Sequence, residues 1–277
     1  MNDATALVRK VWEDQAKSWY AERELLLKAS RPVHEWLVRS VAPQPGQRLL
    51  EIAAGPGDTG LLAAPLLGTG RLVSTDIAPG MVEAARKRGE ELGIANVDYR
   101  VLDAQAMDLE DGSFDGAICR WGYMLMPDPI AAFRETRRVL KPGGRLAFAV
   151  FTGPAENPWV SIPVSVLREA GHMLPPSREW TPGILGLADR FRLQTTLDAA
   201  RFASTTLEII DMAWTFPSAD EYWSFLGEVT ALGSVFRALP TAARHGVRAL
   251  IDARVAAFTG SGGLVLPAQC WGGLAIA

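Results

Sequence analysis

The sequence of 277 residues predicts an α/β fold with a doubly wound, mostly parallel sheet. Between positions 46 and 152, short apolar runs alternate with amphipathic stretches long enough to be helices. Parallel strands need crossover helices of this kind, and those helices cover both faces of the sheet. A glycine-rich turn at residues 55–57 follows the first apolar run, at the position where such sheets bind ligands.

Apolar periodicity and turn signals place the elements in chain order. Helical spacing runs from residue 5 to about 40, with a second helix over 32–41. The predicted strands are 48–53, 71–76, 97–102, 114–120, 145–151, 205–212 and 264–275. The predicted helices of the remainder are 59–67, 79–92, 130–140, 219–226 and 241–258. Beyond residue 151 this alternation loosens, and residues 153–187 are rich in proline and glycine.

Composition excludes several classes of function. Lysine and arginine number 28 against 31 aspartates and glutamates, for a net charge of −3, so we expect no nucleic-acid partner. The two cysteines, Cys119 and Cys270, form neither a disulfide framework nor a thiolate metal site, and no cluster of other ligands has metal spacing. Apolar runs stay shorter than the ~18 residues that span a bilayer. We therefore expect a cytoplasmic protein without a metal or membrane insertion.

Three acids lie at or near the ends of the first three strands. Asp76 could accept both hydroxyls of a ribose, and Asp103 could accept from an adenine amino group. Glu51, just before the glycine turn, would attract a cationic amino or sulfonium group. Structural alternatives remain for each: a helix N-cap for Asp76, a turn residue for Asp103 and a buried ion-pair partner for Glu51.

Residues 55–60, Gly-Pro-Gly-Asp-Thr-Gly, match the dinucleotide pattern G-x-G-x-x-G literally, with an acid about twenty residues further on. A nicotinamide-dependent oxidoreductase is therefore an alternative. Glu51 would repel a pyrophosphate, and Asp103 has no role beside one, so both residues argue against it.

Several motifs together resemble those of the class I S-adenosylmethionine-dependent methyltransferases. They are residues 51–57 (EIAAGPG), Thr75-Asp76, Met81, Asp103-Ala104, Phe114-Asp115 and residues 138–144 (RVLKPGG). The resemblance covers residues 48–151 and is greatest to the small-molecule branch that includes the ubiquinone/menaquinone C-methyltransferases. It implies a Rossmann-like sheet whose last strand is antiparallel. It also implies one domain of three parts: an N-terminal helical flap (1–45), a cofactor-binding core (46–152), and an acceptor lid with the last two strands (153–277).

The resemblance also assigns cofactor-binding residues. Glu51 would orient the glycine loop and face the methionine amino group, and Asp76 would bind the ribose. The other residues expected to contact S-adenosylmethionine are Trp19, Ala53, Gly55, Gly57, Ile77, Met81, Asp103, Ala104, Arg120 and Trp121. Ala53 stands where the family commonly has glycine, Gly55 and Gly57 could form a simple strand–helix turn, and Met81 could equally be a core residue.

The acceptor site is predicted less directly. Trp121, Tyr123 and Met124 could form its wall, and the many tryptophans favour a small apolar or aromatic acceptor. His172, in the predicted lid, is a candidate general base, whereas His34 and His245 are expected at the surface or as caps. We predict methyl transfer by in-line substitution from S-adenosylmethionine, in a monomer or homodimer. A non-catalytic cofactor-binding subunit is a further alternative.

Overall fold

A computed structural model describes residues 3–174 and 180–277. Its strands are β1 (Arg48–Ile52), β2 (Arg71–Asp76), β3 (Val97–Val101), β4 (Phe114–Arg120), β5 (Leu140–Phe151), β6 (Ser204–Phe216), β7 (Thr259–Gly260) and β8 (Gly263–Ile276). They form one sheet in the order β3-β2-β1-β4-β5-β8-β6, with β7 paired to β8. The first five strands are parallel, and β8 runs antiparallel to both β5 and β6. The predicted α/β fold and its antiparallel last strand are confirmed.

Helices pack on both faces of this sheet, because its central strands are buried. Residues 116–120 of β4 and 146–151 of β5 are buried without interruption, so both faces of the sheet are covered. The helices are α1 (Asp3–Ala21), α2 (Arg23–Val41), α3 (Asp58–Ala63), α4 (Pro79–Glu91), α5 (Pro129–Val139), α6 (Pro158–Glu169), α7 (Arg190–Ala200), α8 (Ala219–Glu228), α9 (Leu232–Ala238) and α10 (Thr241–Val255).

Two prolines lie inside helices, and one of them corrects a prediction. Pro32 was expected to begin a helix, but α2 begins at Arg23 and passes through Pro32, which is solvent-exposed. Pro163 lies within α6, in the segment that is rich in proline and glycine. A proline cannot bond to the carbonyl four residues earlier. For Pro163 that carbonyl belongs to Trp159, and it accepts a hydrogen bond of 2.6 Å from the Tyr222 hydroxyl instead.

The fifth strand begins before the predicted start at residue 145. β5 begins at Leu140, which pairs with Phe114, and the register shifts before the pairing resumes at Gly116 and Arg145. The intervening glycine, Gly143, has a φ of 78° and donates its N–H to the carbonyl of Ala277. The hydrogen bond to Ala277 therefore holds this irregular segment in the sheet.

Candidate active site

A cavity of about 480 Å³ opens at the carboxyl ends of the parallel strands. Each of four strands contributes a pair of lining residues immediately at or after its end. These pairs are Ala53 and Gly55 (β1), Asp76 and Ile77 (β2), Asp103 and Ala104 (β3), and Arg120 and Trp121 (β4). The sheet therefore brings together residues that lie far apart in the sequence, at the edge where open α/β sheets bind ligands.

Helix α1 covers the cavity from the opposite side. The Trp19 indole donates its N–H to the carbonyl of Val229, at the end of α8, over 3.0 Å. Glu13 accepts a hydrogen bond of 2.8 Å from the N–H of Gly80, which ties α1 to the start of α4. Trp19 lines the cavity beside Gly55, as the sequence predicted for an N-terminal flap that closes the site.

The glycine turn uses its two glycines differently. Gly55, with a φ of 56°, lines the cavity, and a methyl group added there would face the Trp19 ring at 4.0 Å. Gly57 does not line the cavity; its φ is 83°, and an added methyl would lie 2.9 Å from the Cβ of Ala85 in α4. Gly57 was expected against the cofactor, but the structure gives it the role of letting α3 and α4 approach.

We expect the substitution Gly57→Ala to lower the free energy of unfolding by about 1–2 kcal/mol, because a left-handed alanine is strained and its methyl meets Ala85. Thermal unfolding followed by circular dichroism measures the loss. Gly171→Ala is the matched control, since Gly171 also has a positive φ but has open space around its Cβ position. A loss no greater than in that control would show that the contact with Ala85 is unimportant.

Two residues other than glycine adopt left-handed backbone conformations at the cavity. Ala53 has a φ of 50° and Trp121 a φ of 61°, at the ends of the neighbouring strands β1 and β4. Such angles are costly for residues with a Cβ, and they are concentrated at functional sites. The positive φ of Ala53 explains why the family commonly has glycine at this position.

Glu51 is buried beneath the glycine turn, but it does not line the cavity. One carboxylate oxygen accepts the Gly60 N–H at 2.6 Å, and the other accepts the Ser74 hydroxyl at 2.8 Å. Burial raises the pKa of Glu51 from 4.5 to about 8, so the group is largely uncharged at neutral pH. Glu51 therefore holds the start of α3 through Gly60, does not face the cavity, and offers a dinucleotide little repulsion.

Asp76 joins the turn after β1 to the start of α4. Its carboxylate oxygens accept the N–H groups of Gly55 at 2.9 Å and Ala78 at 3.0 Å. Burial raises the pKa of Asp76 to about 6. Because a carboxylate has about four acceptor positions, the two bonds leave capacity for the hydroxyls of a ligand in the cavity. The N-cap residue of α4 is Ala78, so Asp76 is not the helix cap that the sequence allowed, and its side chain lines the cavity.

Asp103 and the apolar residues around it form the next part of the cavity wall. The Asp103 Oδ1 atom accepts from the backbone N–H of Gln105 at 2.9 Å and from its side-chain amide at 3.0 Å. This is the turn role that the sequence also allowed. Ile77, Met81 and Ala104 line the same cavity and give it the apolar surface that a planar base would contact.

Arg120 carries a buried positive charge into the cavity wall. The residue is 9% exposed, and its Nε and Nη1 atoms have no hydrogen-bond partner among the described residues. Its guanidinium lies over the rings of Trp121, at 4.5 Å, and Trp19, at 5.9 Å. Burial lowers its pKa, against the attraction of the buried carboxyl group of Asp58. A buried guanidinium with unused donors is an attractive site for an anionic group of a ligand.

The predicted acceptor wall is only partly found. Trp121 and Met124 line the cavity, but Tyr123 does not. The Tyr123 side chain is fully buried, stacks on Phe133 with ring centroids 3.7 Å apart, and shares a hydrogen bond of 2.7 Å with Thr136. The prediction for Tyr123 therefore fails because this side chain packs against α5, in the core.

The histidines differ most from the predictions. His172 is exposed and does not line the cavity, so it is not placed to act as a base there. His34, expected at the surface, is buried in α2, and its two ring nitrogens bond to Ser30 and Thr59 over 2.8 Å each. Burial lowers the pKa of His34 well below 6.5, so it acts as a neutral link between α2 and α3. His245 is exposed, as expected.

Sequence reasoning missed a set of aromatic residues on one side of the cavity. Phe151, Trp159, Trp214 and Phe225 all line it, from β5, α6, β6 and α8. The tryptophan-rich tail was the available signal, but no local pattern shows how these residues converge. Within residues 3–174 and 180–277, no group of three or more histidine, cysteine or acidic residues could hold a metal ion.

Comparisons with known proteins agree with this geometry. Residues 50–148 match the family described as a methyltransferase domain. The ubiquinone/menaquinone biosynthesis C-methyltransferase UbiE of Ruegeria sp. (strain TM1040) is 32% identical over 154 residues, covering 55% of this chain and 53% of that protein. The aklanonic acid methyltransferase DauC of Streptomyces sp. (strain C5) is 35% identical over 136 residues, covering 49% and 61%. The chain thus matches a little over half the length of these relatives.

A solved structure supports the fold. The YcgJ protein of Bacillus subtilis aligns with a TM-score of 0.60 and 20% identity over 88% of this chain and 98% of that one. The chain is therefore similar to the class I S-adenosylmethionine-dependent methyltransferases, with a methyltransferase domain matched over residues 50–148. Within that class it is similar to the ubiquinone/menaquinone C-methyltransferases. In the part of the chain that the structure describes, no helix is long and apolar enough to cross a bilayer.

Proposed function

We propose that this protein transfers a methyl group from S-adenosylmethionine to a small apolar or aromatic acceptor. The observation that carries the proposal is the arrangement of charge in the cavity. Carboxylates lie at the ends of β2 and β3, and an unpaired guanidinium lies at the end of β4. A nucleoside joined to an amino acid presents hydroxyls and an amino group at one end and a carboxylate at the other, which matches this order.

Each part of the cavity suits one part of such a cofactor. Asp76 would accept the ribose hydroxyls, Asp103 would accept from the adenine amino group, and Ile77 and Met81 would contact the base. Arg120, which lines the cavity at the end of β4, would hold the methionine carboxylate. Held by these residues, S-adenosylmethionine would supply an electrophilic methyl group to the acceptor, and its sulfur would keep the electron pair of the carbon–sulfur bond.

The chain contributes to this reaction mainly by position and exclusion of water. Trp19 covers the glycine turn, and aromatic side chains surround the neighbouring space. Holding two reactants in line can lower a barrier by about 7–11 kcal/mol in well-oriented cases, so a dedicated base is not required. This fits the position of His172 outside the cavity.

The substitution Arg120→Met tests which end of the cofactor Arg120 contacts. We expect it to weaken S-adenosylhomocysteine by about tenfold or more, the scale of a hydrogen bond to a charged group. The affinity of 5′-methylthioadenosine, which lacks the amino acid end, should stay unchanged. Calorimetric titration of both ligands provides the comparison. An equal loss for the two would remove Arg120 from the methionine end.

Turnover tests the function itself. The protein is incubated with S-adenosylmethionine and a panel of quinones, phenols, polyketides and terpenoids, and mass spectrometry follows methylated product together with S-adenosylhomocysteine. Methylation of an apolar or aromatic member supports the proposal. Cofactor binding without any product, together with a partner protein recovered from cells, would favour the non-catalytic subunit. Tight binding of NAD or NADP alone would favour the oxidoreductase. The cytoplasmic location and the monomer or homodimer stay predictions from the sequence.

A further inference from the structure

The Gln105 side chain joins three parts of the fold at the edge of the cavity. Its Oε1 atom accepts the backbone N–H of Asp128, just before α5, over 2.7 Å. Its Nε2 atom donates to the Asp103 Oδ1 atom over 3.0 Å and to the Thr5 hydroxyl oxygen, in α1, over 3.3 Å. Thr5, Asp103 and Gln105 all line the cavity. One amide group therefore connects the loop after β3 to both α1 and α5.

The orientation of this amide is fixed by its partners. A backbone N–H can only donate, so the amide atom that meets the N–H of Asp128 is the oxygen. A carboxylate can only accept, so the amide atom that meets Asp103 is the nitrogen. Asp128 is itself the N-cap of α5, and its side chain accepts the N–H of Ala131 over 2.9 Å. The amide is therefore anchored to the start of a helix, and its nitrogen serves two acceptors.

Asp103 is held through one of its two carboxylate oxygens. The Oδ1 atom accepts both the backbone N–H and the side-chain amide of Gln105. The Oδ2 atom accepts from no residue within 3–174 and 180–277. Two donors on Oδ1 restrict rotation of the carboxylate, so Oδ2 stays available to a ligand in the cavity. Without the side-chain donor, only one backbone hydrogen bond would hold this carboxylate.

The same nitrogen holds the first turn of α1. Thr5 is the third residue of this helix and is 2% exposed. Glu13 and Trp19 tie the second half of α1 to the start of α4 and the end of α8. Gln105 ties the first half, through an atom that also bonds to Asp103. The position of α1 and the orientation of the Asp103 carboxylate therefore depend on one side chain.

We propose that Gln105 is a positioning residue that links recognition of the adenine amino group to the placement of α1 over the cofactor. Its amide keeps the Asp103 Oδ2 atom available to the amino group and keeps α1 over the cavity. A purine with an oxygen in place of the amino group is disfavoured, because two acceptors then face each other. This inference rests on the proposed function, since it concerns how the same site selects its cofactor.

The test compares S-adenosylhomocysteine with S-inosylhomocysteine, in which a carbonyl oxygen replaces the adenine amino group. Calorimetric titration measures both affinities. We expect the wild type to prefer S-adenosylhomocysteine by about tenfold or more, the scale of a hydrogen bond to a charged group. Gln105→Met removes the side-chain donors at similar volume. It should lower the preference about fivefold, the effect of one hydrogen bond, because a carboxylate with one donor turns more freely.

Dissociation rates test the link to α1. Stopped-flow tryptophan fluorescence, to which Trp12 and Trp19 of α1 contribute, follows the release of each ligand. Thr5→Val removes the hydroxyl that Gln105 contacts and keeps both donors on Asp103. It should release both ligands about threefold faster, the effect of one weak hydrogen bond, and keep the wild-type preference. Gln105→Met should change the release rates and the preference together.

Gln194→Met is the matched control. The Gln194 amide donates to the Asp198 carboxylate over 2.8 Å and to the Thr205 hydroxyl oxygen over 3.1 Å, the same two kinds of acceptor, outside the cavity. This variant should keep both the preference and the release rates. Gln105→Glu covers the case in which Gln105→Met does not fold. It keeps an oxygen for the N–H of Asp128, removes the donors, and should also lower the preference.

The possible results separate this inference from the proposed function. An unchanged preference in the Gln105 variants would overturn the positioning of Asp103, and unchanged release rates in Thr5→Val would overturn the link to α1. Equal binding of the two ligands by the wild type would overturn the inference and leave the proposed function standing. Failure of the wild type to bind S-adenosylhomocysteine would overturn the proposed function, and this inference with it.

Discussion

The substitution Asp76→Ala is expected to weaken S-adenosylhomocysteine by roughly 10- to 100-fold, or about 1.5–3 kcal/mol. Asp76 is buried at the end of β2, lines the cavity and holds the N–H of Gly55 in the glycine turn. Without the Asp76 carboxylate, the ribose loses its acceptor and the glycine turn loses a hydrogen bond. Because the ribose is common to both ligands, 5′-methylthioadenosine should lose as much affinity, in contrast to Arg120→Met.

The pH dependence of binding gives the same residue a second test. Burial places the pKa of Asp76 at about 6, so below that pH the empty protein holds a proton on the carboxyl and loses an acceptor. Affinity for S-adenosylhomocysteine should therefore fall from pH 7 to pH 5 in the wild type and stay flat in Asp76→Asn. Asp98→Ala, an exposed acid on β3 outside the cavity, is the control. An Asp76→Ala variant that binds like the wild type would remove the ribose assignment.

The wild-type protein is expected to lose stability between pH 6.5 and pH 8. The substitution Glu51→Gln is expected to remove this loss. The pKa of Glu51 is 4.5 in an ordinary environment and about 8 in the folded protein. In this range the folded state holds a proton that the unfolded state releases, so the free energy of unfolding falls as the pH rises. At about 1.4 kcal/mol per pH unit, the wild type should lose about 2 kcal/mol over the range.

Glutamine suits this position because its amide can accept from Gly60 and donate to Ser74 without a charge. Urea unfolding at the two pH values measures the difference. Asp98→Asn should keep the wild-type loss, because its ion pair with Arg71 lowers the pKa of Asp98 away from this range. A loss in Glu51→Gln as large as in the wild type would show that Glu51 titrates normally.

The fold could be predicted where pattern and topology agree. Alternating apolar runs and helices specified β1 to β5 with small errors at their ends, because buried parallel strands are short, continuous apolar segments. The tail could not be predicted as well. Helix α6 begins at Pro158 and contains Pro163, which cannot donate to the carbonyl of Trp159. That carbonyl accepts from the hydroxyl of Tyr222, which is 63 residues away in sequence. No local pattern reports such a tertiary contact.

Candidate site residues were predicted best where they end a strand. Asp76, Asp103, Arg120 and Trp121 line the cavity because the parallel sheet collects strand ends at one edge. Predictions failed where only the direction of a side chain decides the role. Tyr123 lies two residues after Trp121 but turns into the core, and Glu51 turns toward Gly60 rather than the cavity. The sequence specifies the neighbourhood of such residues, whereas tertiary packing specifies their contacts.

Calorimetric titration of the purified protein with S-adenosylhomocysteine, and then with NAD and NADP, tests the central proposal most directly. The charge arrangement of Asp76, Asp103 and Arg120 predicts micromolar binding of S-adenosylhomocysteine and no binding of either dinucleotide. Binding of NAD or NADP without binding of S-adenosylhomocysteine would contradict it, and the glycine turn would then serve a dinucleotide.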